Sequence, residues 1–582
     1  MTLDDGLHAK ADRLDGRFAL WAGSLRGKVD AAMTGFGSSA LLERIYARQP
    51  SVWSADQVVQ ATIANRLGWL SSPDGMIASL PRLRAFAQAV RERGTTDVVL
   101  LGMGGSSLAP EVLRAVVGVA PGWPRFHMLD STDPDAVLAV DRAIVLPSTL
   151  FVLASKSGGT IEPNSCAAYF RQRLGLEVGT SWARHFVAIT DHGTALHRRA
   201  TDEGFLEVFV NPSDIGGRYS VLSYFGLVPA ALMGQDIDAM VDWARAMLWV
   251  CGPERPLGTN SAALLGAAMG VGAQHGIDKL TLVTPPGLEA FGLWVEQLVA
   301  ESTGKLGHGV VPVAGEPLGD ATAYGQDRLF VSLEFAQSRD ARQVELLRGL
   351  AATGLPYIQI SLPEPAALGA EFVRWELATA IAGAVIGVNP FDEPNVSQAK
   401  EATRVLLDQH TRTGRFDTRP SSGTIAGQPS ALSSAATAGL AGREPAQFLR
   451  LLTAGDYLAV LAYLDPAMNL AAPIDRLRDA IRTHRRAAMT FGFGPRYLHS
   501  TGQLHKGGPN TGVFIIITAE PAEDVPIPDE DFSFATLERA QALGDFASLE
   551  TTGRRALHMH LPYANARTLQ AVCAALAAGL AG

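Results

Sequence analysis

A glutamine and a glutamate stand four residues apart in the stretch 287–309, GLEAFGLWVEQLVAESTGKLGHG. On a helix this spacing places Gln297 and Glu301 on one face. Gly304 is suited to end the helix, so Glu301 falls in the last turn, where the helix dipole disfavours a negative charge. The dipole and partial burial both raise the pKa of this carboxyl group toward the value that a general base needs. The alternative is a solvated glutamate at a helix end.

A second group of reactive residues lies in the stretch 152–165, VLASKSGGTIEPNS. An apolar run ends at Ser155, and a helix is expected to begin near Thr160. Successive backbone N–H groups, the hydroxyls of these residues and of Ser157, and the helix N-terminus together form an anion site, to which Lys156 adds charge. Phosphate is the expected ligand. A glycine turn with ordinary N-capping is the alternative, and the residue order of a Walker loop is absent.

The stretch 102–107, GMGGSS, is another Gly/Ser loop that follows an apolar run. It begins like a dinucleotide-binding fingerprint, but Ser107 breaks the G-x-G-x-x-G spacing, although Asp130 lies further on as an acidic residue for a ribose. The loop offers glycine and hydroxyl groups, notably Gly104 and Ser106, and the 155–160 loop offers an anion site. A sugar phosphate is therefore the expected ligand.

Arg218 occurs in the stretch 215–220, IGGRYS. An arginine beside glycine is usually a surface charge. Here the residues that follow carry little charge, so we predict that Arg218 is partly buried and paired with an anion.

Short apolar runs alternate with helical patterns along most of the chain, which is typical of doubly wound parallel sheets. In such sheets ligands bind beyond the carboxyl ends of the strands, where the loops 102–107 and 155–160 fall. Strands are predicted in two groups, at 97–102, 126–131, 149–155 and 185–191, and at 279–285, 329–335 and 356–363.

The predicted fold class is α/β, with two doubly wound parallel-sheet domains in tandem. The predicted units are a helical N-terminal segment (1–90), a first α/β domain (91–240), a second (258–410) and an extra C-terminal α/β unit (440–582), with a linker near 235–258. Within the last third, 419–439 is predicted as a loop, 444–464 as helical, and 512–518 and 555–562 as strands.

The composition indicates a chain with ample core and no affinity for polyanions. Of 582 residues 47% are hydrophobic and 18% charged, and the formal net charge is −9, so no nucleic-acid partner is expected. Three scattered cysteines exclude a disulfide framework and a Cys-based zinc site, and they suit a reducing cytoplasm. The first residues lack a signal-peptide pattern and the apolar stretch 259–277 predicts a buried helix, so we expect a cytoplasmic protein without membrane contact.

Together the motifs resemble the phosphoglucose isomerase (glucose-6-phosphate isomerase) family. GMGGSSLAPEV, SKSGGTIEPN, IGGRYSVLSYFGLVPAA, QLVAESTGK and GVNPFDEPNVSQAK occur in the family's order and rough spacing over about residues 60–402. The resemblance implies two sugar-isomerase (SIS) domains with the active site between them, a homodimer, a small sugar phosphate as substrate, and neither metal nor cofactor.

The resemblance also implies roles for the matched residues. Glu301 is the base that carries the proton between C2 and C1, Gln297 stands beside it, and Arg218 stabilises the enediolate. The other matched residues are the phosphate loop Ser155, Lys156, Ser157 and Thr160, the glycine loop Gly104 and Ser106 at the sugar, and Lys400, which assists ring opening.

The closing motif departs from the family's F-D-Q-x-G-V-E-x-x-K pattern. In FDEPNVSQAK, Glu393 replaces Gln, Asn395 replaces Gly and Ser397 replaces Glu, while Lys400 remains. The family's ring-opening histidine is also missing from YGQDRLFVSL, where Asp327 falls at its position. There are three alternatives: Asp327 takes this role, another residue takes it, or the sugar ring opens in solution without help from the protein.

The stretch 491–512 offers substitutes, since it holds His499, His505 and Lys506 among glycines and hydroxyl residues. It looks like the tail of the isomerase half of bifunctional transaldolase–isomerase chains, whose N-terminal RLGWL this chain shares. A purely structural loop is the alternative.

The predicted function is reversible isomerisation of glucose 6-phosphate and fructose 6-phosphate through an enediolate, as in glycolysis and gluconeogenesis. The alternatives are an isomerase of a related phosphosugar such as mannose 6-phosphate, a catalytically inactive phosphosugar-binding regulator, and a scaffold for a separate transaldolase. The intact Gln297, Glu301 and Arg218 argue against an inactive regulator.

Overall fold

The computed structural model describes residues 5–338, 340–563 and 565–581. Within these ranges the strands form three sheets, two of five strands and one of six. The chain before the first sheet is mostly helical. Its elements are α1 (Asp5–Leu14), β1 (Phe18–Trp21), α2 (Arg26–Ser38), α3 (Leu41–Tyr46), α4 (Gln57–Ala64), α5 (Ser72–Met76) and α6 (Leu80–Glu92).

The first sheet is parallel throughout. Its elements are β2 (Asp97–Leu101), α7 (Leu108–Val112), β3 (Arg125–Leu129), α8 (Pro134–Ala143), β4 (Thr149–Ala154), α9 (Ile161–Val178), β5 (Phe186–Asp191), α10 (Ala195–Asp202), β6 (Glu207–Asn211), α11 (Tyr224–Leu232) and α12 (Ile237–Val250). The strand order is β3-β2-β4-β5-β6. β2 and β4 are buried along their whole length, as expected of strands with helices on both faces.

The second sheet is parallel except at one edge. Its elements are α13 (Ser261–Gln274), β7 (Lys279–Val283), α14 (Phe291–Thr303), β8 (Val311–Val313), β9 (Arg328–Phe335), α15 (Ala341–Thr353), β10 (Tyr357–Leu362), α16 (Leu368–Ile386) and α17 (Val396–Thr413). The order is β1-β10-β9-β7-β8. The N-terminal strand β1 closes the edge by pairing antiparallel with β10, Phe18 opposite Ile360.

The third sheet belongs to the C-terminal unit. Its elements are β11 (Gly423–Ile425), β12 (Gln428–Leu432), α18 (Ser434–Leu440), β13 (Tyr457–Tyr463), α19 (Ala471–Arg485), β14 (Ala488–Phe493), α20 (Gly502–Gly507), β15 (Gly512–Ala519), α21 (Phe534–Thr551), β16 (Arg555–Leu561) and α22 (Ala566–Ala581). The order is β11-β12-β16-β15-β13-β14, in which β13 to β16 are parallel. The α/β fold class and the predicted strands are confirmed.

Three local predictions were wrong. The predicted loop 419–439 forms the hairpin β11–β12, whose turn is Ala426-Gly427 with both φ angles positive. The predicted helical stretch 444–464 instead contains the strand β13, because a short, fully buried apolar run has no periodicity that separates strand from helix. The predicted linker 235–258 is mostly helix α12.

The third sheet packs against both other units. Val311 and Val313 of β8 share one hydrophobic cluster with Tyr457 and Leu461 of β13, and residues 525–540 pack on the first sheet. This arrangement brings the segment between β14 and β15 to the junction of the three units. In the chain as described, no helix has the length and apolar character to cross a membrane, and α13, in the predicted buried stretch, lies in the core.

Candidate active site

Helix α14 presents the predicted base and its neighbour on one face, as the sequence spacing predicts. Gln297 donates from Nε2 to Glu301 Oε2 at 3.2 Å and to the backbone oxygen of His499 at 2.7 Å. Gly304 follows the last helical residue, so Glu301 lies in the final turn. Only 9% of Glu301 is exposed, so this carboxylate is not a solvated helix end.

Arg218 lies in a short turn of 3-10 helix and is buried, as predicted. Its Nη1 is 3.0 Å from Glu301 Oε1 and 3.1 Å from Glu393 Oε2. Its Nε donates to Ser302 Oγ at 2.9 Å, and its Nη2 donates to two backbone oxygens of the 390–392 segment. The guanidinium therefore donates four hydrogen bonds and forms an ion pair with Glu301.

Burial and the charges of Arg218 and Glu393 shift the pKa of the predicted base, Glu301. Burial raises the pKa of Glu301, the Arg218 charge opposes this, and the Glu393 charge raises it further. The net effect is a pKa above the ordinary value of a glutamate, which suits a carboxylate that must accept a proton and release it again.

Lys305 stabilises the segment beside the predicted base, Glu301. Its Nζ donates to the backbone oxygen of Asn389 and to Asp392 Oδ1, the latter at 2.7 Å. Burial and the neighbouring Arg218 lower the pKa of Lys305 to about 8, although Asp392 counteracts them. Lys305 therefore holds the 389–392 segment, whose backbone oxygens in turn orient Arg218.

The glycine loop 102–107 docks the first unit against this face of α14. Gly104 has a positive φ of 58°, and a Cβ atom there would lie 2.7 Å from the His499 backbone oxygen and 3.0 Å from Gln297 Nε2. A Cβ on Gly105 would overlap the backbone of Gly217, next to Arg218. Ser106 is buried in the same turn. Glycine is needed here because two backbones approach closely.

The 155–160 loop forms the predicted turn between β4 and α9. Ser155 Oγ lies 3.0 Å from Thr160 Oγ1 and accepts from the Gly158 N–H at 3.1 Å. Ser157 is exposed, and its hydroxyl accepts from the Gly159 N–H at 3.4 Å. Hydroxyls and N–H groups thus converge at the N-terminus of a long helix, the arrangement that binds anions.

Lys156 departs from the expected arrangement. Its ammonium pairs with Asp191 at the end of β5 and donates to the Ser213 backbone oxygen at 3.1 Å. The charge of Lys156 is therefore already compensated. The groups with which this loop can bind an anion are mainly its hydroxyls and backbone N–H groups.

A cavity of about 220 Å³ lies beside this loop. Thr160 and Glu162 line one wall, Lys400 of α17 lines another, and His499 and Lys506 of the C-terminal unit complete it. Lys400 is exposed, whereas Lys506 pairs with the buried Asp545 at 2.5 Å. The predicted phosphate loop and the predicted ring-opening lysine thus share one cavity.

His499 and Glu162 form a pair across the first and third units. His499 Nε2 lies 2.8 Å from Glu162 Oε1, and the same oxygen accepts from Gln541 Nε2 at 2.8 Å. Burial raises the pKa of Glu162, but the charges of His499 and Lys400 and the His499 hydrogen bond outweigh it and hold the pKa below its usual value. Glu162 was missed by the sequence analysis; its only signal was an acid in the first turn of α9.

Two other candidates lie outside the cavity. Asp327 precedes β9, where its carboxylate lies 3.5 Å from Lys279 Nζ and contacts none of the groups around Glu301, so it is not placed to open the sugar ring. His505 is buried among Tyr457, Tyr497 and Phe514, and burial holds its pKa well below the ordinary value. It is a core side chain because its ring packs on three aromatic rings.

Comparisons with known proteins identify relatives of this chain. A family model described as phosphoglucose isomerase matches residues 79–306. Glucose-6-phosphate isomerases of Cyanothece sp. (strain PCC 7425) and Rubrobacter xylanophilus are each 31% identical, over 58% and 57% of this chain and 74% and 89% of theirs. That of Prochlorococcus marinus (strain MIT 9313) is 29% identical over 69% of this chain and 78% of its own.

Two solved structures share the fold. A hypothetical protein from Thermus thermophilus superimposes with a TM-score of 0.56 at 26% identity, over 67% of this chain and 99% of its own. A glucose-6-phosphate isomerase from Chlamydia trachomatis gives 0.52 at 22% identity, over 66% and 86%.

The family model and the relatives, together with the paired parallel sheets, define an aldose–ketose isomerase that acts on phosphosugars. The chain belongs to the phosphoglucose isomerase family.

Proposed function

We propose that this protein interconverts glucose 6-phosphate and fructose 6-phosphate through an enediolate, with Glu301 as the general base. The observation that carries the proposal is the buried ion pair of Glu301 with Arg218, with Gln297 bonded to the same carboxylate. Isomerisation moves a proton between neighbouring carbons and creates an oxyanion in between. A carboxylate beside a guanidinium supplies a group for each task.

The phosphate binds the 155–160 loop in this proposal, through hydroxyls of Ser155 and Thr160 and the N–H groups that open α9. Thr160 lines the same cavity as His499, whose backbone oxygen is bonded to Gln297. The loop is therefore connected to Glu301 through two residues, His499 and Gln297. Binding energy from the phosphate is used to orient the distant C1 and C2 atoms.

Proton transfer follows from the groups around C1 and C2. Glu301 removes the proton from C2 and delivers it to C1, while Arg218 stabilises the developing oxyanion. Because the Arg218 guanidinium already donates to Ser302, Glu393 and two backbone oxygens, the oxyanion takes the place of one of these acceptors in this proposal. Glu393 is the acceptor that can leave, since its side chain is 48% exposed and the others are buried or backbone groups.

Ring opening is assigned to His499 in this proposal. Glu162 accepts from Nε2 and fixes the ring, which leaves Nδ1 as the atom that exchanges a proton with the sugar. Lys400 lines the same cavity, where its positive charge attracts the negatively charged substrate and assists ring opening. Gln541 holds the second member of the pair, Glu162, in place.

We also propose a cytoplasmic homodimer that works in glycolysis and gluconeogenesis. The homodimer and the pathways are what the family resemblance implies. The three cysteines are free and buried, which suits a reducing compartment.

A coupled assay tests the proposed reaction. Fructose 6-phosphate is supplied, and the glucose 6-phosphate formed is measured by its oxidation with a dehydrogenase. We expect turnover. Formation of mannose 6-phosphate in its place would contradict the substrate assignment, and binding without turnover would favour the phosphosugar-binding regulator.

Replacing Glu393 with glutamine is expected to move the acid limb of the kcat/KM profile to lower pH. Glu301 must be ionised to accept a proton, so activity falls as pH drops through its raised pKa. The Glu393 charge contributes to that raised pKa, and glutamine removes this contribution. The measurement is kcat/KM across pH, with Glu345→Gln, an exposed glutamate on α15, as the control. An unchanged limb, or one moved to higher pH, would contradict the coupling.

A further inference from the structure

A second cavity lies in the C-terminal unit, away from the candidate active site. Its volume is about 370 Å³, within the size range of small-molecule sites. It opens at the carboxyl ends of the parallel strands β15 and β16, the edge at which doubly wound sheets bind ligands. The end of α17, the segment 414–418 and the first turns of α21 cover it. We call it the α17–α21 cavity.

A prearranged polar network lines the floor of this cavity. Thr518 Oγ1 lies 2.8 Å from His560 Nδ1, and His560 Nε2 lies 2.8 Å from Glu520 Oε1. Arg539 donates to the same glutamate oxygen at 3.1 Å. The side chains of His560, Glu520 and Arg539 are thus held in one orientation before any ligand binds.

Two buried atoms in the cavity wall have no acceptor or donor in the part of the chain that the structure describes. They are Glu538 Oε1 and Arg539 Nε. Glu538 is only 6% exposed. Burial and the acidic neighbours Asp133, Asp135 and Asp465 raise the pKa of Glu538 well above the usual value. Buried polar atoms without partners are uncommon and mark places where a ligand can bind.

The charged groups at the rim indicate the ligand's chemistry. His410 and Arg415 line the opening, and among the described residues no ion pair of the exposed Arg415 with an acid is found. A guanidinium without an acid is suited to a carboxylate or phosphate. Glu538 with its unpartnered Oε1, Thr518 and Asp524 are suited to hydroxyl groups.

We propose that the α17–α21 cavity is a second binding site for a small polyhydroxylated anion, that is, a sugar acid or a sugar phosphate. The anionic group binds Arg415 at the rim and the Arg539 guanidinium below it, and the hydroxyl groups bind Thr518 on the floor and Glu538 in the wall. The site is separate from the cavity beside the 155–160 loop, with which it shares none of its lining residues. Binding at this second site does not depend on whether Glu301 is the general base.

Calorimetry with 6-phosphogluconate tests this site, because the probe carries hydroxyl, carboxylate and phosphate groups. The background is the full-length double variant Ser155→Ala with Thr160→Val, in which the candidate phosphate loop lacks two hydroxyls. We expect one binding event per chain to remain. Adding Arg415→Ala is expected to weaken it at least tenfold, whereas Arg412→Ala, on the exposed side of α17, leaves it unchanged. Gluconate or inorganic phosphate that competes with the probe identifies the anionic group.

A cavity-filling variant provides the second measurement. Ala535 lines the cavity at the start of α21, and Ala535→Tyr is expected to abolish the remaining event while the chain stays folded by circular dichroism. Three results would overturn the proposal: no binding in the double variant, equal weakening by Arg415→Ala and Arg412→Ala, or undiminished binding in a folded Ala535→Tyr protein. Loss of activity in the double variant concerns the proposed function and leaves these results unaffected.

Discussion

Glu301→Gln is expected to lower kcat for the conversion of fructose 6-phosphate by about 10²–10⁴-fold, the range typical of a lost general acid–base group. Glutamine keeps the shape of the side chain and a contact to Arg218, but it cannot take the C2 proton. The 155–160 loop precedes a different helix, α9, and is unaltered by this change. We therefore expect the dissociation constant for glucose 6-phosphate, measured by calorimetry, to change little.

Glu296→Gln is the matched control for this variant. Glu296 is a second buried glutamate on α14, and burial raises its pKa to about 7, but it lies in a different cavity beside Arg478. We expect this control to retain turnover. Exchange of the C2 proton with heavy water is the sharper measurement, and a Glu301→Gln protein that still exchanges that proton at the wild-type rate would exclude Glu301 as the base.

His499→Asn is expected to lower kcat/KM for cyclic hexose phosphates by roughly 10²–10³-fold, again the range of a lost proton-transfer group. The backbone oxygen of His499 still accepts from Gln297, so the base and the glycine loop keep their positions. Only the proton transfer that opens the ring is removed. A tetrose 4-phosphate cannot close a ring through its esterified O4, so its isomerisation should be nearly unaffected.

The comparison of the two substrates separates ring opening from a general loss of structure. His484→Asn, at an exposed position in the last turn of α19, is the control for the amino-acid change. If His499→Asn slows the tetrose and the hexose phosphates equally, His499 positions the site and does not open the ring.

The part of the site carried by one helix could be predicted from the sequence because it depends on local geometry. A spacing of four residues brings Gln297 and Glu301 together, and their hydrogen bond confirms it. The low charge around Arg218 predicted its burial in the same way, because a buried guanidinium requires anionic neighbours. The structure supplies them as Glu301 and Glu393.

Contacts between units could not be predicted. Glu162 and His499 are 337 residues apart, and nothing local to either residue indicates the other. Lys156 was expected to face phosphate, but β5 lies beside β4 and brings Asp191 to it, which is a result of strand order. The strand β8 was likewise not predicted, because three residues including Pro312 are too short for a pattern.

The junction of the three structural units bears on whether a single polypeptide is a complete catalyst. Gln297, which is bonded to the proposed base, and His499, the proposed ring-opening residue, are 202 residues apart in one polypeptide and are joined by a hydrogen bond. Dilution cannot separate groups that are covalently connected. Each polypeptide is therefore expected to be a complete catalyst, whose specific activity does not depend on encounter between copies.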